Sequence, residues 1–507
     1  MNRREFLRSG AAAAWWVDHE TGAMRAHDKG ALARRLAADP HRPRYHFLPR
    51  AHWMNDPNGP IFWNGEYHMF YQHNPNGAFW GTMHWGHAVS RDLVHWKHLP
   101  IALAPTPRGP DKNGVFTGCA VINKGVPTLV YTGVSPEVQC LATSDDAMIE
   151  WKKHPQNPVI ASPPEGLEVT GFRDPCVWWE DDLWHMVIGS GFKGVGGMAL
   201  LYTSEDLVKW TYHHPLVVGK MDPQARGDNP VATGEMWECP DFFPLGSKHV
   251  LIVSTQGTTR YFVGTYAERK FHPEREGQID FGAYYAPKSM LDANGRRILW
   301  GWIQERRGDA AQRRAGWSGV LSLPRVPSLD TDGTLRMDPV PELGALRGRS
   351  HRFRDLRVTP IEPALLQGVS GDGLEIAAEF APGDAEEIGL RVRSSPDLSE
   401  QTLILYDRKN RHLKVDQEKS SLSPEEVRGV TSGLFELAAG ETLKLRVFLD
   451  GSVVEVFANG RACLTDRVYP TRADSLSLGL VTRGGSARHL HLDVWQMRAI
   501  SKDRLTT

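Results

Sequence analysis

Three acidic residues stand in short stretches that also hold aromatic residues and proline. Asp56 lies in the stretch WMNDPNG, Asp174 in FRDP and Glu238 in WECP. The proline after Asp56 biases that residue to an extended conformation, and the Asn58-Gly59 pair favours a sharp turn directly behind it. A pair of carboxyl groups carries out most enzymatic cleavage of glycosidic bonds. The three stretches therefore indicate a cluster of catalytic carboxylates.

The neighbours of the second and third acids predict different charge states. Arg173 precedes Asp174, and an adjacent guanidinium favours the ionised carboxylate, which suits a group that stabilises a cation or holds hydroxyls. Glu238 lies between Trp237 and Cys239, an apolar setting that disfavours the charged form and suits a general acid. Each stretch taken alone is equally compatible with a structural role, as a turn, an ion pair or a buried glutamate bonded to backbone donors.

A weak internal repeat indicates how the acids could meet. Its units begin at Ser90, Ser144 and Ser204 and read SRDLVHW, SDDAMIEW and SEDLVKW, with a degenerate fourth copy from Gly264. A period of 54 to 60 residues with short strands between turns is typical of propeller blades, and roughly five blades fit residues 44–330. Equivalent blade edges converge at one end of a propeller axis, so acids one or two periods apart can share a site. The acids that recur with the repeat are expected to form turns: Asp92, Asp146 and Asp206.

The composition changes beyond residue 350, where Trp495 is the only tryptophan. Alternating residues predict strands at Leu443–Leu449 and Val453–Phe457, joined by a turn at Asp450-Gly451. We expect an all-β chain with an N-terminal segment (1–43), a propeller (44–335), a linker (336–350) and a β-sandwich (351–507). Acids of the sandwich strands, including Glu455, are expected to face solvent.

The overall composition limits the kinds of ligand and cofactor that the protein is expected to bind. The net charge is −1, from 59 basic and 60 acidic residues, which gives no electrostatic case for nucleic acid or an anionic membrane. The 17 tryptophans suit a sugar site, although large aromatic residues also fill cores. The five cysteines form no C-x-x-C pair, and the histidines form no zinc motif. We therefore expect no cofactor, no metal and a neutral substrate; the oligomeric state is not indicated.

The N-terminus resembles an export signal. The residues Asn2–Arg8 resemble a twin-arginine motif, and the apolar run after them, Ala11–Val17, is at the short limit for a signal peptide. Two localisations follow: an exported protein, periplasmic or secreted, if the segment is functional, and a cytoplasmic protein with a basic tail otherwise.

The three acidic stretches and several further motifs resemble glycoside hydrolase family 32, the invertases, levanases and inulinases. The resemblance begins at about residue 44 and covers nearly all of the chain after it. The further motifs are FYQ at 70–72, MHWGH at 83–87, FTG at 116–118, ILWGW at 298–302, GWSG at 316–319 and LPR at 323–325.

The resemblance implies a five-bladed propeller followed by a β-sandwich, and a retaining exo-β-fructosidase that acts on sucrose or fructans such as inulin and levan. It implies that Asp56 is the nucleophile, Glu238 the acid/base and Asp174 the transition-state stabiliser. The positions that would bind the fructosyl unit are Trp53, Asn55, Gln72, Trp80, Phe116, Thr117, Arg173 and Trp317.

Two departures from the family pattern bear on function. Thr117 stands where serine is commoner, a change we expect to cost little activity. The segment Gln256–Thr265 lacks the acid–lysine hairpin that plant invertases use on the glucose side of sucrose, so strict sucrose specificity is not implied. A fructosyltransferase, a non-catalytic sugar-binding propeller and an arabinan-cleaving propeller enzyme are the alternatives.

Overall fold

The computed structural model describes residues 26–360, 364–502 and 505, so the twin-arginine-like stretch lies outside the described residues. The regular secondary structure of the described residues is almost entirely β-strand. Its helices are α1 (Ala26–Ala38), α2 (Asp309–Ala315) and a 3-10 helix (Pro341–Leu346). Within the described ranges, no helix has the length and apolar character needed to cross a bilayer.

Five antiparallel sheets follow one another along the first two thirds of the chain. The first comprises β1 (His52–Trp63), β2 (Glu66–Asn74), β3 (His84–Ser90) and β4 (Trp96–Leu103). The second comprises β5 (Gly114–Asn123), β6 (Val126–Val134), β7 (Val138–Thr143) and β8 (Lys152–Lys153). The third comprises β9 (Arg173–Glu180), β10 (Leu183–Phe192), β11 (Gly196–Ser204) and β12 (Thr211–Val218).

The fourth and fifth sheets complete this part. The fourth comprises β13 (Glu238–Leu245), β14 (Lys248–Thr255), β15 (Thr258–Ala267) and β16 (Lys270–Asp280). The fifth comprises β17 (Tyr284–Leu291), β18 (Arg297–Ile303), β20 (Val320–Leu321), β21 (Arg325–Leu329) and β22 (Leu335–Pro339). The short strand β19 (Trp317–Ser318) leaves this order and pairs in parallel with β1.

The first strands of these sheets lie against one another in succession. β1 contacts β5, β5 contacts β9, β9 contacts β13, β13 contacts β17, and β17 in turn contacts β1. Their residues are mostly buried, because each strand is covered by its neighbours on both sides. Asp56, Asp174 and Glu238 all lie on these first strands, so residues far apart in sequence are brought to one place.

The internal repeat forms the connection between the third and fourth strands of the first three sheets. In each copy the indole N–H of the tryptophan donates to the carbonyl oxygen three residues earlier, at 3.2 Å for Trp96, 3.1 Å for Trp151 and 2.7 Å for Trp210. The residue that carries this carbonyl has a positive φ in every copy, between 51° and 67°. The repeat is therefore a recurring turn closed by its tryptophan.

The acids of the repeat support these turns. The Asp92 carboxylate accepts from the backbone N–H of Val94 at 3.0 Å, and Asp206 accepts from Val208 at 2.8 Å. Their predicted turn role is thus confirmed. In the second copy this bond comes instead from Asp145, which accepts from the N–H of Ala147 at 3.1 Å, and Asp146 lies in the turn itself.

The last third of the chain forms two six-stranded antiparallel sheets around a second core. One comprises β23 (Arg347–Val358), β25 (Gly373–Ala381), β30 (Leu443–Asp450), β31 (Val453–Ala458), β32 (Ala462–Arg467) and β34 (Ala487–Met497). The other comprises β24 (Ala364–Ser370), β26 (Glu387–Ser394), β27 (Gln401–Asp407), β28 (His412–Lys419), β29 (Val430–Leu434) and β33 (Ser477–Arg483). The predicted strand pair around Gly451, which has φ 58°, is confirmed. Since β22 ends at Pro339 and β23 begins at Arg347, the connecting segment is shorter than the predicted linker.

Glu455 does not face solvent, and that prediction was wrong. Its carboxylate is fully buried and accepts from the Arg325 guanidinium, from the backbone N–H of Leu323 at 2.7 Å and from a ring nitrogen of His46 at 2.9 Å. Arg325 also donates to Asp280 at 3.0 Å. The sheet that carries Glu455 is covered on its second face by the preceding sheets. Alternate residues of its strands therefore point to two buried faces, and neither face is exposed to solvent.

Candidate active site

The three acids from the short stretches line one cavity of about 160 Å³. Asp56 lies near the start of β1, Asp174 is the second residue of β9, and Glu238 opens β13. Each residue is only 1% exposed. The full lining consists of Asn55, Asp56, Gln72, Trp80, Phe116, Thr117, Glu137, Arg173, Asp174 and Glu238.

The Asp56 carboxylate is held by three donors. The Thr117 hydroxyl donates to it at 2.7 Å, the Asn55 side-chain amide at 3.0 Å and the Cys239 thiol at 3.4 Å. The Trp53 indole N–H in turn donates to the Asn55 amide oxygen at 2.8 Å, which fixes the orientation of that amide. The carboxylate is therefore oriented rigidly towards the cavity, as an attacking group requires.

Asp174 is held in an unusual backbone conformation. Its φ is 66°, in the left-handed region that non-glycine residues seldom adopt. The backbone N–H of Asp174 donates to the Thr132 hydroxyl at 3.0 Å, and its carboxylate accepts from the backbone N–H of Cys239 at 3.0 Å. Cys239 is itself left-handed, with φ 50°. These bonds stabilise a conformation that directs the carboxylate to the side of the cavity where Asp56 lies.

Glu238 receives charged and neutral donors. Arg173 donates to one carboxylate oxygen at 3.0 Å, and the Tyr285 hydroxyl donates to the other at 2.7 Å. The nearest approach of the Arg173 guanidinium to Asp174 is longer, at 4.0 Å. The sequence paired Arg173 with Asp174 and predicted an apolar setting for Glu238, whereas Glu238 has the closer guanidinium and is hydrogen-bonded.

The structure brings most predicted substrate-binding residues to the cavity. Asn55, Gln72, Trp80, Phe116, Thr117 and Arg173 line it, and the Gln72 amide is fixed by donating to the carbonyl of Val115 at 2.9 Å. The Trp80 and Phe116 rings meet edge to face, 6.1 Å apart, and form an aromatic side of the cavity.

Two predicted residues do not line the cavity. Trp53 is buried behind it, donates to Asn55 and belongs to a cluster against which Trp80 and Phe116 pack. Trp317 is fully buried, donates from its indole to Asp39 at 2.7 Å and lies under the Arg307 guanidinium at 4.6 Å. It pairs with His52 at the start of β1, so it supports the strand that carries Asp56.

Three residues near the acids were not predicted as site residues: Glu137, Cys239 and Tyr285. Cys239 could have been found, since it adjoins Glu238. No sequence pattern near Glu137 or Tyr285 points to the site, because their partners are far away in the sequence. Glu137 bonds to Arg173, 36 residues away, and Tyr285 bonds to Glu238, 47 residues away. Over the described part of the chain, no group of three or more His, Cys, Asp and Glu side chains could hold a metal ion.

An all-β chain with three buried carboxylates around one small cavity fits a glycoside hydrolase, in which a pair of carboxyl groups cleaves the glycosidic bond. Comparison with known proteins defines the family. Residues 46–339 match the model of the glycosyl hydrolases family 32 N-terminal domain, and residues 342–496 match that of the family 32 C-terminal domain. The chain belongs to glycosyl hydrolases family 32.

Individual relatives agree along nearly the full chain. The acid beta-fructofuranosidase of Vicia faba is 36% identical, over 85% of this chain and 76% of that protein. The sucrose-6-phosphate hydrolase of Escherichia coli is 36% identical, over 90% and 94% of the two chains. The crystal structure of fructan 1-exohydrolase IIa from Cichorium intybus superposes with a TM-score of 0.82 at 31% identity, covering 91% of this chain and 98% of that one.

Proposed function

We propose that this protein is a retaining exo-β-fructosidase that hydrolyses terminal, non-reducing β-D-fructofuranosyl residues of sucrose or fructans. The observation that carries the proposal is the meeting of Asp56, Asp174 and Glu238, from three different sheets, around one cavity. At about 160 Å³ the cavity is smaller than the roughly 300–1,000 Å³ typical of sites for drug-sized ligands. That size favours a single terminal sugar unit over an internal segment of a chain.

The contacts of the acids support a division of roles. Asp56, oriented by Thr117 and Asn55, would attack the anomeric carbon C2 of the fructosyl unit and form a covalent intermediate. Glu238 would protonate the departing glycosidic oxygen and then take a proton from the water that releases fructose. Asp174 would remain charged and hold sugar hydroxyls while positive charge develops on the ring. A retaining mechanism requires the Asp56 and Glu238 carboxyl groups to be about 5–5.5 Å apart.

The fold proposed for this activity is a five-bladed propeller joined to a β-sandwich. The succession of contacts from β1 through β5, β9, β13 and β17 back to β1 supports five blades around one axis. The two six-stranded sheets around a shared core support the sandwich. The division of the chain into an N-terminal segment, a propeller, a short linker and a sandwich is part of the same proposal.

The names of the relatives support fructosides as substrates without selecting one. They include a beta-fructofuranosidase and a fructan exohydrolase. We expect fructose to be released from sucrose, 1-kestose, inulin or levan, with the β-configuration retained in the product first formed.

The decisive experiment measures fructose release by Asp56→Asn and Glu238→Gln variants, with the product anomer followed by NMR. Loss of a nucleophile or an acid/base should lower kcat by about 10³-fold or more. Asp146→Asn and Glu165→Gln are matched controls, because both residues are exposed and outside the cavity. Turnover near the unsubstituted level in either active-site variant would refute the proposal.

A further inference from the structure

The hairpin of β6 and β7 holds the start of β9, where Arg173 and Asp174 lie. The Gln139 side chain donates to the carbonyl of Phe172 at 2.9 Å, and the Thr132 hydroxyl accepts from the N–H of Asp174 at 3.0 Å. Thr132 and Gln139 also bond to each other at 2.8 Å. The second sheet therefore fixes the backbone on both sides of Arg173.

Glu137, from the turn of the same hairpin, fixes the Arg173 side chain. One Glu137 carboxylate oxygen accepts from the N–H of Phe172 at 2.6 Å, and the other accepts from the Arg173 guanidinium at 2.9 Å. The opposite nitrogen of that guanidinium donates to Glu238 at 3.0 Å. A single guanidinium thus joins two carboxylates, both of which line the cavity.

We propose that Glu137 is a positioning residue for general acid catalysis, which acts on Glu238 through Arg173. The inference rests on the proposed function, in which Glu238 protonates the leaving oxygen. Glu137 is anchored at both carboxylate oxygens, and its side chain is 25% exposed against 10% for Arg173. Glu137 therefore sets the position of the Arg173 guanidinium. The positive charge of that guanidinium is divided between Glu137 and Glu238 and does not act on Glu238 alone.

Removal of the Glu137 charge has a defined direction. In Glu137→Gln the guanidinium would lose its second carboxylate, and its full attraction would act on Glu238. The charged form of Glu238 would be favoured, and the acid would lose its proton at lower pH. The Glu137 and Glu238 carboxylates lie on either side of one guanidinium, about 7 Å apart. At an effective dielectric constant of about 20 to 40, loss of the Glu137 charge should lower the pH at which Glu238 loses its proton by roughly one unit or more.

Four strands supply the other titratable groups around Glu238, and the substitution alters the identity of none of these residues. They are Arg173 and Asp174 on β9, Tyr285 on β17, Asp56 on β1 and Cys239 on β13.

The test compares two substrates whose leaving groups differ in their need for a proton. Sucrose needs protonation of its glycosidic oxygen, whereas an aryl β-fructofuranoside releases a phenolate that needs little. For Glu137→Gln we expect kcat/KM on sucrose to fall about 10-fold or more and kcat/KM on the aryl fructoside to fall less than about 3-fold, since a general acid contributes roughly 10²–10⁴-fold. The alkaline limb of the sucrose pH profile should move down by about one unit.

Controls separate this role from a structural one. Glu165→Gln, an exposed residue outside the cavity, should leave both substrates and the pH profile unchanged. Glu137→Ala should repeat the substrate difference if the glutamine variant folds poorly, and thermal unfolding reports on folding. Equal losses on both substrates, or an alkaline limb that stays in place, would overturn the proposal. An unsubstituted protein that releases no fructose would instead refute the proposed function.

Discussion

Removal of the Tyr285 hydroxyl should move the alkaline limb of the pH profile in the opposite direction to removal of the Glu137 charge. The Tyr285 hydroxyl donates to the Glu238 carboxylate at 2.7 Å, and both side chains are at most 2% exposed. A donor bonds more strongly to a carboxylate than to a neutral carboxyl group, so Tyr285 favours the charged form of Glu238. Tyr285→Phe removes this donor and leaves the ring in place.

The magnitude follows from the energies of the two kinds of hydrogen bond. A bond to a charged group contributes about 1.5–3 kcal/mol, and a bond between neutral groups contributes about 0.5–1.5 kcal/mol. The difference of about 1–1.5 kcal/mol is the preference that Tyr285 gives to the charged form. Because one pH unit corresponds to about 1.4 kcal/mol, the alkaline limb of the profile should move up by about one unit in Tyr285→Phe.

The assay is the pH dependence of kcat/KM for fructose release from sucrose. Tyr202→Phe is a matched control, since the Tyr202 hydroxyl is buried in the third sheet and has no hydrogen-bond partner. Its profile should coincide with that of the unsubstituted protein. An alkaline limb that stays in place or moves down in Tyr285→Phe would refute the reasoning, because it would mean that the hydroxyl does not favour the charged acid.

Substitutions at two further positions, Thr117 and Glu455, test the proposed nucleophile and the junction between the two cores. Thr117→Ser keeps the hydroxyl that donates to Asp56 at 2.7 Å, so kcat/KM should stay within about 3-fold, whereas Thr117→Val should lose about 10-fold or more. Glu455→Gln should lower the free energy of unfolding by about 3–5 kcal/mol in urea, because it leaves Arg325 buried without one of its charged partners; Glu425→Gln, in an exposed pair with Arg314, should cost less than about 1 kcal/mol. Burial alone would raise the pKa of Glu455, but Arg325 and His46 outweigh burial and lower that pKa. The stability that the charged Glu455 contributes should therefore be complete above its unfolded pKa of about 4.3 and should be lost as the pH falls through its lower pKa in the folded protein. Equal acid sensitivity of Glu455→Gln and the unsubstituted protein would contradict this expectation.

Local patterns in the sequence were sufficient to predict the strands around Gly451 and the turns of the repeat. The alternation in Leu443–Leu449 and Val453–Phe457 predicted two strands that the structure contains, and the repeat predicted turns that its tryptophans close. Both signals are local, since hydrophobic alternation and turn residues act within a few positions. The position of Glu455 was not predictable in this way, because alternation does not reveal whether the second face of a sheet is covered.

The partner of Arg173 shows the same limit inside the site. Sequence adjacency suggested Asp174, but the guanidinium approaches that carboxylate only to 4.0 Å, although both side chains line the cavity. The guanidinium extends instead to Glu137 and Glu238, which lie 36 and 65 residues away. The charge environment of Glu238 therefore depends on which first strands are neighbours, and only the assembled sheets establish that.

The left-handed residues Asp174 and Cys239 link two of the short acidic stretches to each other. Each conformation costs of order 1–3 kcal/mol, and the N–H of Cys239 donates to the Asp174 carboxylate, so one hydrogen bond supports both residues. The bond links β9 to β13 at the point where Arg173 meets Glu238. Strain on both strands is thus balanced by contacts between them, so the position of the Asp174 carboxylate and that of Glu238 are fixed together.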